Sequence, residues 1–141
     1  MRGFLLDTNC ISEIVSPKPD ERVLRWLEAT DESMFYLSVL TLAEIRKGCE
    51  GLAIGKRRRL LESWLEVDLQ ARFSGRILPI SWAVADRWGS LAAVAKRKGL
   101  GLPVIDGLLA ATAMEHQLTI VSRNTSDFKA VGVPLLNPWL T

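Results

Sequence analysis

Short apolar runs alternate with longer amphipathic segments along the whole chain, and this alternation is the strongest constraint on its fold. The runs predict strands, and the segments between them carry apolar residues at helical spacing. Parallel strands that are joined by helices need helices on both faces of the sheet. We therefore expect one domain over residues 1–141, an α/β/α sandwich of three layers with a central, mostly parallel sheet of four or five strands.

The predicted elements follow from the apolar runs and from the residues that punctuate them. Strands are predicted at 3–6, 35–38, within 76–80, at 118–122 and at 133–136. Helices are predicted at 8–15, after an N-cap at Asp20, from about 41 to 48, at 55–73, at 81–98 and at 103–116, with a helical turn at 125–129. Apolar positions at helical spacing, including Val67 and Trp82, are expected to face the core. For Leu60 and Trp64, a groove for a partner helix is the alternative to the core.

Composition narrows the class of protein. The chain has 141 residues, is 48% hydrophobic and 24% charged, and carries a net charge of +2, which fits one mildly basic domain. Its two cysteines, Cys10 and Cys49, have neither metal-ligand spacing nor a disulfide pattern, so we expect a reducing cytoplasm. Met1-Arg2 precedes only a short apolar run, so no signal peptide is expected. No apolar stretch approaches ~18 residues, so none is expected to span a membrane.

Three acidic residues occur at equivalent points of the strand–helix pattern. Asp7 follows the first strand, Glu44 lies one helical turn after the second, and Asp106 lies in the first turn of the helix before the fourth. In parallel sheets, ligands bind beyond the carboxyl ends of the strands, where these acids are expected to meet. Clustered carboxylates repel one another and usually hold a hard divalent cation such as Mg²⁺ or Mn²⁺. The pattern therefore predicts a metal-dependent phosphodiesterase site.

Each acid also has a purely structural interpretation. Asp7 is a possible N-cap, Thr41 and Glu44 match a capping box, and Asp106 suits the positive end of a helix dipole. Taken one at a time, these interpretations are favoured. For the three acids together, the metal-site interpretation is favoured, because Asp7 and Asp106 adjoin very apolar segments and a buried carboxylate needs a compensating charge.

Other signals are weaker. The chain has neither a GxxxxGK[ST] loop nor a GxGxxG fingerprint, and Ser122 lacks a GxSxG context. The single histidine, His116, lies near a predicted helix end, so Cys–His nucleophilic catalysis is not expected. The basic runs 56–59 and 96–98 have two interpretations: solvated helix faces or contacts with a phosphate backbone. The solvated helix face is slightly favoured for each.

Four motifs in order resemble the PIN-domain toxins of the VapC family. They are LLDTNCISE at 5–13, LTLAEIRKG at 40–48, DGLLAATA at 106–113 and SRNTSDF at 122–128. The terminal NPW at 137–139 resembles the FitB-like branch of that family. The resemblance covers nearly the whole chain.

The resemblance implies a PIN-like fold and the toxin of a type II toxin–antitoxin system, a Mg²⁺- or Mn²⁺-dependent endoribonuclease. It implies a cognate VapB-like antitoxin, an RNA substrate and a homodimer within a larger complex. Asp7, Glu44 and Asp106 match the family's metal-binding acids. Many relatives carry aspartate where Asn124 stands, so Asn124 is expected to complete the catalytic set. Asp127 is expected to play a secondary part and is the candidate for a fourth metal ligand.

Two other functional classes stay open at this stage. One is a metal-dependent nuclease that acts on DNA or on structured RNA and is not a toxin. The other is a non-catalytic binding module on the same fold. A comparison of cleavage rates on single-stranded RNA and on DNA would separate the first class from a toxin. Absence of metal binding would favour the non-catalytic binding module.

Overall fold

A five-stranded parallel sheet forms the centre of the protein in a computed structural model, which describes residues 3–141. The expectation about a signal peptide concerned Met1-Arg2, and these two residues lie outside the described range. In sequence order the strands are β1 Phe4–Leu6, β2 Phe35–Ser38, β3 Ile77–Leu78, β4 Thr119–Val121 and β5 Leu135–Leu136. In the sheet they lie in the order β3-β2-β1-β4-β5, and every pairing is parallel. The prediction of a parallel sheet between helical layers is confirmed.

Helices connect the strands and cover both faces of the sheet. They are α1 Thr8–Glu13, α2 Glu21–Ala29, α3 Val39–Glu50, α4 Lys56–Ser63, α5 Gln70–Arg72, α6 Trp82–Arg97 and α7 Val104–His116. A π-helical segment, Trp64–Leu69, joins α4 to α5, so the predicted helix at 55–73 is continuous but locally widened. Three short 3₁₀ turns lie at Glu32–Met34, Thr125–Phe128 and Pro138–Leu140.

Alternation along β1 divides the core into two layers. Phe4 and Leu6 pack into the cluster that contains Cys10 and Ile11 of α1, whereas Leu5 packs against Leu109 of α7 on the other face. All three residues of β1 are buried, as expected for the middle strand of a parallel sheet. This central position places the residue after β1 at the middle of the sheet's carboxyl edge.

Two sequence expectations about burial were wrong. Val67 is 61% exposed and Trp82 is 79% exposed, although both sit at helical spacing. Leu60 is also 61% exposed, which agrees with the groove alternative and not with a core position. Ser38, not Thr41, caps α3: its hydroxyl accepts a hydrogen bond from the Leu40 amide at 3.0 Å. The helix therefore begins before Thr41, which becomes a buried residue within it. Periodicity marks one face of a helix but not how far the neighbouring elements cover it.

A search of the described helices found none that is both long and apolar enough to cross a bilayer.

Candidate functional site

Asp7 lies at the carboxyl end of the central strand and is held on three sides. Its amide donates to the Val121 carbonyl at 2.9 Å, which continues the β1–β4 pairing by one residue. Its Oδ1 accepts from the Thr8 amide at 2.8 Å, and its Oδ2 accepts from the Ser122 hydroxyl at 2.8 Å. Asp7 is thus the N-cap of α1, as its structural interpretation required, and it also lies at the predicted edge.

Ser122 connects the loop after β4 to Asp7. The Ser122 hydroxyl accepts from the Asn9 carboxamide at 3.2 Å and from the Asn124 amide at 3.0 Å while it donates to Asp7. Ser122 was predicted to begin the fourth family motif, but its hydrogen bond to Asp7 was not predicted. Leu6 of β1 pairs with Val121 of β4, and the residues that follow two paired parallel strands must be neighbours. Knowledge of this pairing would have predicted that Ser122 lies beside Asp7.

Glu44 reaches the same edge from α3. The Thr8 hydroxyl donates to Glu44 Oε1 at 2.6 Å, so Thr8 contacts Asp7 through its amide and Glu44 through its side chain. The capping-box interpretation of Glu44 is wrong, because α3 begins at Val39 and Glu44 lies inside it. Its carboxylate is therefore directed to the site and not to its own helix end.

Asp106 is placed by the close packing of α7 on α6. It lies in the first turn of α7, and the next residue, Gly107, is buried. A Cβ atom at Gly107 would lie 2.9 Å from two atoms of the Trp88 indole. The absence of that Cβ lets Trp88 of α6 pack onto the backbone beside Asp106.

The charges of these acids influence one another's protonation. Burial raises the pKa of Asp7, although bonds from Ser122 and Thr8 lower it, and the charges of Glu44 and Asp127 raise it further. Burial, followed by the charges of Asp127, Asp7 and Glu44, raises the pKa of Asp106 to about 6. Asp106 is therefore within range of the other acids' charges, and its part in a metal site stays a prediction.

Charge favours Asp127 over Asn124 as the fourth group. Asp127 lies in the 3₁₀ turn after β4, and its charge raises the pKa of both Asp7 and Asp106. Asn124 contributes its backbone amide to Ser122, and its carboxamide makes no hydrogen bond within residues 3–141. Which residue completes the site stays a prediction.

The donor set fits a hard divalent cation. Four carboxylates offer oxygen ligands, and within residues 3–141 none of the four is in an ion pair. Over the same range, no three acidic, histidine or cysteine side chains stand close enough to enclose a cation. The acids are therefore more widely spaced than the sequence predicted, and side-chain rotation would have to draw their oxygens together around a cation.

An apolar groove leads away from Glu44 between α1, α3 and α4. Two adjoining cavities of about 320 and 430 Å³ share Val15, Arg57, Leu61 and Trp64, and the first also contacts Glu44. We call this surface the α1–α4 groove. Leu60 lines its outer part and is 61% exposed.

A family comparison agrees with this arrangement. The family model described as the PIN domain matches residues 4–134. The chain belongs to the PIN-domain family. Among its relatives, Toxin FitB of Neisseria gonorrhoeae is 42% identical over 136 residues, which cover 96% of this chain and 98% of the relative. The VapC ribonuclease Y4jK of Sinorhizobium fredii is 38% identical, with coverage of 96% and 97%.

Solved structures show the same PIN fold. The crystal structure of FitAcB from Neisseria gonorrhoeae contains a chain that is 41% identical, with a TM-score of 0.93 and coverage of 98% of this chain and 99% of that one. A toxin–antitoxin complex from Klebsiella pneumoniae contains a chain that is 26% identical, with a TM-score of 0.68 and coverage of 96% and 98%. The family resemblance drawn from the four motifs is therefore confirmed.

Proposed function

We propose that this protein is the toxin of a toxin–antitoxin pair and acts as a metal-dependent endoribonuclease. One observation carries the proposal: Asp7, Glu44, Asp106 and Asp127 come from separate segments, and their charges act on one another at the carboxyl edge of the sheet. The comparisons support the finer points, because one relative bears the name toxin and another the name ribonuclease.

The chain's own residues would prepare the site for phosphodiester hydrolysis. Ser122 and the Thr8 amide hold the Asp7 carboxylate in one orientation, and the Thr8 hydroxyl directs Glu44 toward it. Asp7, Glu44, Asp106 and either Asp127 or Asn124 would hold Mg²⁺ or Mn²⁺. Such a cation supplies Lewis-acid chemistry: it lowers the pKa of a water and offsets negative charge that develops on the phosphate.

An antitoxin is the proposed protein partner. The α1–α4 groove offers Leu60, Leu61 and Trp64 to an apolar helix or extended segment, and it ends at Glu44. A basic side chain from a partner seated there would reach the acids and compete with a cation. The homodimer that the family resemblance implies stays a prediction.

The alternatives are less well supported. A ribonuclease among the relatives favours RNA over DNA, and the retained acids argue against a non-catalytic module. Cleavage of DNA at a rate equal to that of single-stranded RNA would favour the first alternative. Absence of Mn²⁺ binding in calorimetry would favour the second.

The test is Mg²⁺-dependent cleavage of single-stranded RNA by purified protein and by Asp7→Asn. Asparagine retains an N-cap oxygen for Thr8, so the fold is expected to survive while cleavage is lost. Asp68→Asn is the matched control, because Asp68 is exposed and makes no ion pair in the described chain. Cleavage by Asp7→Asn at the wild-type rate would overturn the proposal.

A further inference from the structure

Arg123 is fixed beside the acidic site through its backbone. It follows Ser122 directly, its amide donates to Asn9 Oδ1 at 3.2 Å, and its carbonyl accepts from the Asn137 carboxamide at 3.3 Å. Asn9 also donates to Ser122, whose hydroxyl binds Asp7. The position of Arg123 is therefore set by the same hydrogen bonds that orient the catalytic carboxylate.

The side chain of Arg123 lies on an aromatic platform. Its guanidinium carbon is 5.6 Å from the centre of the Trp139 ring, within the range of a cation–π contact. Trp139 is itself 5% exposed, and its amide donates to Asn137 Oδ1 at 2.9 Å. The platform thus belongs to the packed core and restricts the conformations available to the arginine.

The hydrogen-bonding capacity of this guanidinium is unused by the protein. Arg72 and Arg76 also stack on an aromatic ring, that of Phe73, but both donate to protein oxygens: Arg72 to Glu32 and Arg76 to the Phe35 carbonyl. Over residues 3–141, the Arg123 side chain has neither an acidic partner nor a hydrogen-bond acceptor. It is an exposed cation, held in place, with all its donors free.

We propose that Arg123 binds a phosphate of the RNA strand and thereby positions the strand at the acids. The proposal rests on the function proposed above. A guanidinium presents two parallel N–H donors that match two phosphate oxygens, and stacking on Trp139 reduces the entropy lost when they bind. The contact also answers an electrostatic need, because the four carboxylates repel an approaching phosphodiester, whereas the arginine next to Ser122 attracts it.

A competing explanation is that Arg123 only covers Trp139 with its aliphatic stem. Arg123→Gln separates the two, because glutamine still covers part of the ring but carries no charge. If Arg123 only covers the Trp139 ring, Arg123→Gln should change stability without changing RNA affinity. Phosphate binding predicts weaker RNA affinity and a smaller dependence of that affinity on salt.

The experiment measures binding of a fluorescent single-stranded RNA by anisotropy over a series of KCl concentrations. The full chain carries Asp7→Asn throughout, so that the RNA stays intact. Adding Arg123→Gln should weaken binding by about 5- to 20-fold. The slope of log Kd against log salt should fall by about 0.7, as expected for one lost phosphate contact on a single strand. Arg25→Gln is the matched control: Arg25 is exposed and unpaired in the described chain, and should change neither quantity.

A second variant protects the test against a folding defect. Trp139→Phe keeps an aromatic face and should retain most of the affinity with an unchanged slope. Unchanged affinity and slope in Arg123→Gln, with wild-type chain that cleaves RNA, would overturn this inference alone. Failure of the wild-type chain both to bind and to cleave RNA would overturn both proposals. Loss of affinity for the antitoxin alone in Arg123→Gln would show that the arginine contacts protein, which also overturns the inference.

Discussion

The Ser122 hydroxyl donates a hydrogen bond to Asp7 Oδ2 at 2.8 Å and so joins the ends of two adjacent strands that are far apart in sequence. This hydrogen bond lowers the pKa of Asp7 and opposes the larger effect of burial, which raises it. The same hydroxyl accepts from Asn9 and Asn124, so it fixes the loop as well as the carboxylate.

Ser122→Ala should therefore weaken both stability and activity. Loss of a hydrogen bond to a buried carboxylate is expected to lower the free energy of unfolding by about 1–3 kcal/mol. The pKa of Asp7 should rise further, which moves the acid limb of the RNA-cleavage profile to higher pH. Urea denaturation and a pH–rate profile measure these two effects. Ser126→Ala is the control in the same loop, and equal effects from both variants would argue against the role of Ser122.

Asp106→Asn should stabilise the protein when divalent cations are removed by a chelator. Asp106 has a raised pKa of about 6, compared with 3.8 for an ordinary aspartate. Between these values the folded protein binds more protons than the unfolded chain, so the free energy of unfolding falls as pH rises and stays lower above pH 6. Asparagine removes that penalty at neutral pH.

The size of this effect is limited by solvent, because Asp106 is only half-buried. We expect a gain on the order of 1 kcal/mol or less, which is about 2–4 °C or less in melting temperature. Thermal melts at pH 3 and pH 7.5 measure it, and the gain should be absent at about pH 3, where an ordinary aspartate is largely protonated. A melting temperature for Asp106→Asn below that of the wild type at neutral pH would contradict the prediction.

The fourth position can be decided by Mn²⁺ titration. Asp127→Asn should weaken Mn²⁺ binding by about tenfold, because it removes a negative charge that acts on both Asp7 and Asp106. Asn124→Ala should have a smaller effect, since the amide that Asn124 gives to Ser122 belongs to the backbone. Asn124→Asp adds a charge and should tighten binding. Weaker binding in Asn124→Ala than in Asp127→Asn would favour the sequence-based expectation.

Two glycine substitutions should change the free energy of unfolding in opposite directions. Gly107→Ala places a methyl group 2.9 Å from the Trp88 indole, so α6 and α7 must separate or Trp88 must move, at a cost of about 1–3 kcal/mol. Gly89→Ala lies on α6 with open space around it and should stabilise the helix by about 0.5–1 kcal/mol. Chemical denaturation of both variants tests the packing, and stabilisation by Gly107→Ala would show that the contact is not close.

Leu60→Asp should disrupt antitoxin binding while it spares RNA cleavage. Leu60 lines the outer part of the α1–α4 groove and does not contact the acids. Val67→Asp is the matched control, because Val67 is equally exposed at 61% but does not line the groove. Co-purification with the partner and growth rescue by it are the measurements. Full neutralisation of Leu60→Asp by the antitoxin would place the partner elsewhere.

The sequence by itself determined the layered architecture and the acids. Alternating apolar runs and helical spacings depend on local side-chain chemistry, so they predicted the parallel sheet, and strand ends located Asp7 and Glu44. What it could not determine was how far one element covers another: Leu60 and Trp82 have the spacing of core residues but are exposed.

Only the tertiary structure decided which side chains meet. Pairing of β1 with β4 brings Ser122 to Asp7, packing of α6 on α7 requires Gly107, and the C-terminal turn places Trp139 under Arg123. Each contact joins residues that are distant in sequence, and its geometry depends on the register and the packing angle of whole elements. Local patterns contain no information about either quantity, which is why the acids were predicted while the residues that orient them were not.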